Sequence, residues 1–161
     1  MVQLCAFGAE TPQHHVLHPG DVAAGVRGDR LETLLGSCVA VILTDPRRTV
    51  GAMCHIVHSG VAPGGADSTL HAEPAMEAMF GLLHRYGINP LMCEAYVFGG
   101  GNMFPNLVKQ SHVGEVNATW ALDVLADLGI RVLAHDVGGN TYRRVGWTVG
   151  PAAPEVATVE V

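Results

Sequence analysis

The chain has 161 residues, the size of one ordinary domain, with 48% hydrophobic and 15% charged residues. This composition excludes a disordered chain, and a net charge of -6 with nine Lys and Arg excludes a basic nucleic-acid-binding face. We therefore expect protein or small-molecule partners, no nucleic acid, and no stable membrane insertion, because no apolar run reaches about 18 residues.

Cysteine usage indicates the compartment. The four cysteines form no CxxC pair, and the N-terminus lacks the pattern of a signal peptide, which predicts a protein of the reducing cytoplasm. We expect a single domain over residues 1–161, with loosely ordered ends near residues 1–12 and 151–161. The cysteines are Cys5, Cys38, Cys54 and Cys93.

Short apolar runs separated by turn residues predict β-strands between residues 31 and 57. The runs are LETLL, VAVILT and VGAMCHIV, and they are broken by Gly-Ser and by Asp-Pro-Arg-Arg. Later in the chain, EAYVF and RVLAHDV have the same character. Because these runs are apolar on both faces, we expect a sheet that is covered on both sides.

Two segments carry apolar residues at the spacing of an amphipathic helix. The first covers residues 73–88 and stops at Gly87, and the second covers residues 117–130, with Asn117 as the predicted N-cap and Gly129 as the stop. Several strands precede the first helix, so we predict an α+β sandwich rather than a doubly wound parallel sheet. The apolar stripes are Met76, Met79, Phe80 and Leu83, then Ala121, Val124, Leu125 and Leu128.

A cysteine and a histidine lie on the two arms of a predicted hairpin within TLLGSCVAVILTDPRRTVGAMCHIVH, residues 33–58. If residues 45–48 form a four-residue loop, Cys38 lies directly opposite His55, with the two Cβ atoms about 5 Å apart on one face. Cys54 then points to the other face of the sheet.

This pairing predicts an acyl-transfer site that attacks an amide carbonyl. His55 is the base that takes the proton of the Cys38 thiol and later protonates the leaving amine. Thr33, at the end of the preceding strand, is the candidate that orients the imidazole. The backbone N–H groups of Gly36 and Ser37, next to the sulfur, are candidates for binding the oxyanion.

Other interpretations of these residues were open on the sequence alone. A cysteine and a histidine on adjacent strands are more often packing than catalysis. A metal site made of Cys38, Cys54, His55 and His58 is disfavoured because strand alternation separates Cys54 from His55, so we expect no metal and no cofactor. We expect HHVLH (14–18) to be a mobile, solvated segment, and FGGGN (98–102) and DVGGN (136–140) to be turns.

Several sequence blocks also resemble one known family. They cover roughly residues 16–149 and fall in the order of the landmarks of the chemoreceptor glutamine deamidase CheD. By this resemblance, Cys38 in the GSC block is the nucleophile, His55 is the general base, and Thr33 is the orienting residue. The blocks are TLLGSCVAVILTDP, GAMCHIVHSG, AEPAMEAMF, FGGGNMF, VGEVNA, LGIRVLAHDVGGN and RRVGW.

The resemblance implies a fold and an activity. The implied fold is a three-layer α/β/β sandwich with largely antiparallel sheets and two main helices. The implied activity is that of a protein-glutamine glutaminase, which hydrolyses specific glutamine side chains of methyl-accepting chemotaxis receptors to glutamate and ammonia. Family members commonly bind a CheC-type phosphatase, so the alternative implied by the resemblance is a regulatory binding module for such a phosphatase with little catalytic activity.

Overall fold

The computed structural model describes residues 11–161 and places nine strands and two helices in that part of the chain. The strands are β1 His14–Leu17, β2 Val22–Val26, β3 Arg30–Leu35, β4 Val39–Thr44, β5 Val50–Ile56, β6 Glu94–Gly99, β7 Arg131–Val137, β8 Thr141–Thr148 and β9 Glu155–Glu160. The helices are α1 Ala72–Arg85 and α2 Val113–Asp127.

The strands form two sheets. The outer sheet has the order β1-β3-β8-β9, and the central sheet has the order β2-β5-β4-β6-β7. All neighbouring pairs are antiparallel except β1 with β3 and β6 with β7. Helix α1 packs on β5 and β2, and α2 packs on β6, β7 and β4. The predicted α+β fold, with helices, central sheet and outer sheet as three layers, is confirmed.

The inner strands of the central sheet are covered on both faces, as their apolar residues predict, but the expectation is wrong for LETLL, which is β3 of the outer sheet, and for RVLAHDV, which is the edge strand β7 and has no buried residue. Every residue of β4 and β5 is buried. Alternate residues divide between two cores: Val41 and Cys54 pack under the helices, and Ile42 and Met53 pack against the outer sheet. The second core includes Leu31, Leu35 and Trp147 of the outer sheet and is called here the interlayer core. Burial of each such large side chain stabilises the fold by about 1.5–3 kcal/mol.

Helix α1 agrees with its predicted stripe. Met76, Met79 and Leu83 are buried, Phe80 packs against the same core, and the chain leaves the helix through Gly87 at a φ of 77°. That positive φ is a conformation that glycine adopts without steric cost.

The predicted start of the second helix is wrong. Helix α2 begins at Val113, and its N-cap is His112, whose Nδ1 accepts a hydrogen bond of 3.1 Å from the backbone N–H of Glu115. Histidine is not among the usual N-cap residues, which is why the sequence pattern favoured the asparagine further on. Asn117 therefore lies inside the helix, where it is buried.

Two segments expected to be irregular are strands. His14 to Leu17, within the segment expected to be mobile and solvated, pairs in parallel with β3. Glu155 to Glu160, within the tail expected to be loosely ordered, pairs with β8 along its whole length. Both are edge strands, whose mixed polar composition hides the alternation that marks buried strands. The expectation for residues 1–10 lies outside the described residues.

No helix among residues 11–161 is long and apolar enough to cross a membrane.

Candidate active site

The hairpin of β4 and β5 has a register two residues away from the predicted one. Thr44 pairs with Gly51, and the residue opposite His55 is Ala40 rather than Cys38. A shift of two residues preserves the face on which every side chain lies. Cys38 and His55 therefore still face the interlayer core, and Cys54 faces the helices.

The side chain of Asp45 explains the shifted register. Its carboxylate accepts hydrogen bonds from the N–H groups of Thr49 (2.8 Å) and Val50 (2.9 Å) and from the Thr49 hydroxyl (2.6 Å). The hydroxyl of Thr44 also donates to the carbonyl of Val50 at 2.8 Å. These bonds close the turn of residues 45–49 and leave Val50, the first residue of β5, without a partner in β4, so the ladder between β4 and β5 begins only at Gly51.

Thr33 and His55 are in direct contact. The hydroxyl oxygen of Thr33 lies 2.8 Å from Nδ1 of His55, and both side chains are only 2% exposed. Thr33 is at the third-to-last position of β3, on the face that packs against the central sheet. Thr33 is thus within hydrogen-bond distance of the imidazole, and its orienting role stays a prediction.

The hydrogen bonds of Thr33 determine the tautomer of His55. The Thr33 hydroxyl has one hydrogen, and its second neighbour is the carbonyl oxygen of Leu17 at 2.9 Å. A carbonyl only accepts, so Thr33 donates to Leu17, and Nδ1–H of His55 donates to Thr33. Neutral His55 consequently carries its lone pair on Nε2, which is buried and has no hydrogen-bond partner among the described residues.

His55 is held as a neutral base. Burial lowers the pKa of His55 below its ordinary value of 6.5, and the negative charge of Asp21 only partly offsets this effect. Asp21 also holds the main chain of His55, because the backbone N–H of His55 donates a hydrogen bond of 3.1 Å to the carbonyl of Asp21. A neutral imidazole with a free Nε2 is the form that accepts a proton.

This lowered pKa predicts a pH dependence of stability. Below about pH 6.5 the unfolded chain gains a proton at position 55, whereas the folded chain gains it only at lower pH. The free energy of unfolding is therefore expected to fall as the pH drops below 6.5, and His55→Gln is expected to reduce that dependence. Urea titrations between pH 5 and pH 8 test this, with the exposed His84→Gln as control, and an equal slope in all three proteins contradicts the prediction.

Cys38 lies just before β4, half-buried at the rim of the interlayer core. Because Cys38 is diagonal to His55 across two strands, their Cα atoms are separated by about 7–8 Å in an ordinary antiparallel sheet. No hydrogen bond joins Cys38 and His55 within the described chain. The structure thus brings Thr33 and His55 into contact and places Cys38 on the same face beside them.

The three described cysteines differ in accessibility. Burial raises the pKa of Cys54 to about 12 and that of Cys93 to about 11. Burial also raises the pKa of Cys38, but this thiol is half-buried while the other two are buried. Cys5 lies outside the described residues.

We expect Cys38 to react with iodoacetamide faster than Cys54 and Cys93 in the folded protein, because attack requires an accessible thiolate. Peptide mass spectrometry of a labelling time course near pH 8 measures the three rates. Faster labelling of Cys54 or Cys93 would contradict the predicted order. Labelling in denaturant, where the rates should converge, is the control.

The loop that carries Cys38, residues 36–38, is called here the nucleophile loop after the predicted role of Cys38. It is anchored through all three of its carbonyl groups. The carbonyl of Gly36 accepts from the N–H of Gly101 (3.0 Å), and that of Cys38 accepts from Gly100 (2.8 Å). The carbonyl of Ser37 accepts from the side-chain amide of Asn117 at 3.2 Å. The N–H groups of Gly36 and Ser37 donate no backbone hydrogen bond within the described chain, and their role as oxyanion donors stays a prediction.

The segment FGGGN was predicted to be a turn, but its first two residues end strand β6 and its glycines pack against the loop that carries Cys38. A side chain at Gly99, whose φ is 112°, would collide with the carbonyl of Cys38. Beneath it, the buried guanidinium of Arg143 donates to the carbonyls of Gly99 (3.2 Å) and Gly138 (2.8 Å) and to the carboxylate of Asp136 (3.1 Å). The two glycine-rich segments thus form one support under the nucleophile loop.

Two cavities flank the site. One, of about 360 Å³, reaches Thr33 and His55 and is rimmed by Glu32 and Arg144. The other, of about 320 Å³, reaches Ser37 and is walled mainly by residues 101–104 and 111–114. One cavity thus reaches the predicted base, and the other reaches the residue that precedes Cys38.

Sequence reasoning missed two residues that support the site. Asn117 was assigned to a helix cap, although it lies four residues before Ala121 on the apolar stripe, and a polar residue on a core-facing stripe signals a buried hydrogen-bonding role. Arg143 was one of two adjacent arginines, and nothing in its local pattern distinguishes it from the exposed Arg144.

The family model described as CheD, chemotactic sensory transduction, matches residues 59–152. A protein of Albidiferax ferrireducens named probable chemoreceptor glutamine deamidase CheD 2 is 33% identical over 138 residues, which are 83% of this chain and 80% of that protein. Proteins named probable chemoreceptor glutamine deamidase CheD are 35% identical in Pseudomonas fluorescens (81% of this chain, 76% of the relative) and 34% identical in Cereibacter sphaeroides (81% and 64%).

Among solved structures, a Neisseria meningitidis protein of the family DUF152 is similar with a TM-score of 0.48 and 12% identity. The similarity covers 92% of this chain and 79% of that protein.

Proposed function

The chain belongs to the CheD family of chemotactic sensory transduction proteins, and from this membership we propose that it is a protein-glutamine deamidase of chemotaxis receptors. The proposed enzyme is a cysteine-dependent amidohydrolase with Cys38 as nucleophile, His55 as general base and Thr33 as orienting residue, within a single CheD-like domain. The observation that carries this proposal is the buried, unpartnered Nε2 of His55, which faces the same interlayer core as Cys38.

The first half of the proposed reaction forms a thioester. Nε2 of His55 takes the proton from Sγ of Cys38, and the thiolate attacks the carboxamide carbon of a receptor glutamine. The negative oxygen that develops is stabilised by the N–H groups of Gly36 and Ser37. The C–N bond then breaks, and His55 returns its proton to the departing nitrogen, which leaves as ammonia.

The second half releases glutamate. A water molecule occupies the place that ammonia left and gives a proton to Nε2 of His55 while its oxygen attacks the thioester carbon. The carbon–sulfur bond breaks, the Cys38 thiol is restored, and the side chain leaves as a carboxylic acid that ionises. The net reaction consumes one water and converts one glutamine into glutamate and ammonia.

Closure of the distance between Cys38 and His55 is part of the proposal. Catalytic hydrogen bonds in unliganded enzymes are often long and tighten only when substrate binds. A rotation of the Cys38 side chain about its Cα–Cβ bond moves the sulfur without moving the backbone, so it requires no break in the ladder of β4. The names of the relatives support the same substrate class.

Mass spectrometry of a receptor cytoplasmic fragment tests the proposed function. We expect incubation with this protein to convert defined glutamines into glutamates, with one ammonia released for each conversion. The tested fragments include those of receptors from the same source organism. If none of them is converted, the proposal is overturned. Stable binding of a CheC-type phosphatase without any conversion would instead favour the regulatory-module alternative.

A further inference from the structure

Asn117 of helix α2 makes two hydrogen bonds to the chain segments next to the proposed nucleophile and base, one just before β4 and one just after β5. Its Nδ2 lies 3.2 Å from the carbonyl oxygen of Ser37 and 2.9 Å from that of Val57. Only 2% of the residue is exposed to solvent. Ser37 immediately precedes Cys38, and Val57 follows His55 by two residues. An amide nitrogen has two hydrogens, so both bonds are satisfied at once.

Close packing of helix α2 on the glycine-rich segment lets Asn117 reach this position. Gly114, one turn before Asn117, lies so near the backbone of Gly100 and Gly101 that a Cβ atom there would collide with both. Gly100 and Gly101 are the residues that bind the carbonyls of Cys38 and Gly36. The first turn of α2 thus rests on the two glycines that anchor the nucleophile loop.

The position of Asn117 also matters because the ladder of β4 and β5 ends at this point. Its last pair is Val39 with Ile56, so the next residues, Cys38 and Val57, are not joined by the ladder. The Asn117 amide joins these two chain ends through the carbonyls of Ser37 and Val57. Cys38 is also held by Gly100, and Val57 by Leu70, but these bonds tie each chain end to a different neighbour, whereas the Asn117 amide bonds both ends at once.

We infer that Asn117 is a positioning residue, which holds the nucleophile loop at a fixed distance from the strand of the general base. This role rests on the proposed deamidase function, because it concerns the same Cys38 and His55. Asn117 itself lies under the loop and acts on the reacting atoms only through these two carbonyls.

Substitutions of Asn117 test the inference. Asn117→Asp keeps the shape but presents an acceptor to two carbonyls when ionised, and Asn117→Ala removes both donors without adding charge. We expect each variant to lower kcat by about 10²-fold with KM nearly unchanged, because a misplaced catalytic group weakens the chemical step rather than binding. We also expect alkylation of Cys38 near pH 9 to become faster, because the released loop exposes the sulfur.

Leu125→Ala is the matched control, because Leu125 is buried on the same helix two turns further and contacts the core rather than the loop. Variants are compared where urea unfolding shows them fully folded. If Asn117→Ala matches Leu125→Ala in kcat or in Cys38 alkylation, the positioning role is overturned. If the unaltered protein deamidates no receptor fragment, the proposed function fails, and the alkylation comparison alone decides whether Asn117 positions Cys38.

Discussion

Cys38→Ala is expected to reduce receptor deamidation to the background rate. In the proposed reaction the sulfur of Cys38 forms the thioester, and no other described thiol lies on the face of His55. Cys54, the neighbour of His55 in sequence, packs under the helices on the opposite face of β5. Cys93 is buried after α1, in the core beneath the helices. Neither thiol is placed to replace the lost nucleophile.

The Cys38→Ala variant is expected to fold, because the half-buried thiol makes no hydrogen bond to any other described residue. Circular dichroism and urea unfolding verify this before activity is measured. Cys54→Ala is the matched control, because it removes a sulfur from the other face of the same hairpin and should keep full activity wherever it is folded. A folded Cys38→Ala that still converts receptor glutamines would disprove the nucleophile assignment.

The strands whose burial followed most fully from the sequence are those whose residues are apolar on both faces. VAVILT and VGAMCHIV became β4 and β5, with every residue buried. Strand β8 was not predicted, because Arg143 and Arg144 interrupt its apolar pattern. Arg143 is buried only because distant carbonyls at Gly99 and Gly138 and the carboxylate of Asp136 bind its guanidinium. No local pattern contains those partners.

For the candidate site, the sequence predicts which face of the sheet each side chain lies on, but not how far apart Cys38 and His55 are. Alternation along a strand has a period of two, so it assigns Cys38 and His55 to one face whichever even register the hairpin adopts. The actual register depends on the hydrogen bonds of Asp45 to Thr49 and Val50, which lengthen the loop. Asn117 was hidden for a similar reason, because its partners lie 60 and 80 residues away in the chain.

His55→Ala is expected to lower the rate of deamidation by about 10²–10⁴-fold, the usual contribution of a general acid and base. The loss should fall mainly on kcat, because His55 moves protons in the reaction and its ring is too buried to contribute much to receptor binding. The rate is measured as ammonia release and as glutamate formation on a receptor fragment. A folded His55→Ala with unchanged kcat would exclude His55 as the base.

Substitutions of Thr33 separate the base from the group that orients it. Thr33→Val removes the hydroxyl that accepts from Nδ1–H of His55 and donates to the Leu17 carbonyl, so the imidazole loses its fixed tautomer. We expect a loss of up to about 10²-fold, smaller than that of His55→Ala, because a free Nε2 is still present in part of the molecules. Thr33→Ser keeps the hydroxyl and should recover most of the activity. Equal losses in the Val and Ser variants would mean that Thr33 acts through packing, whereas full activity of a folded Thr33→Val would show that the Leu17–Thr33–His55 chain of hydrogen bonds does not orient the base.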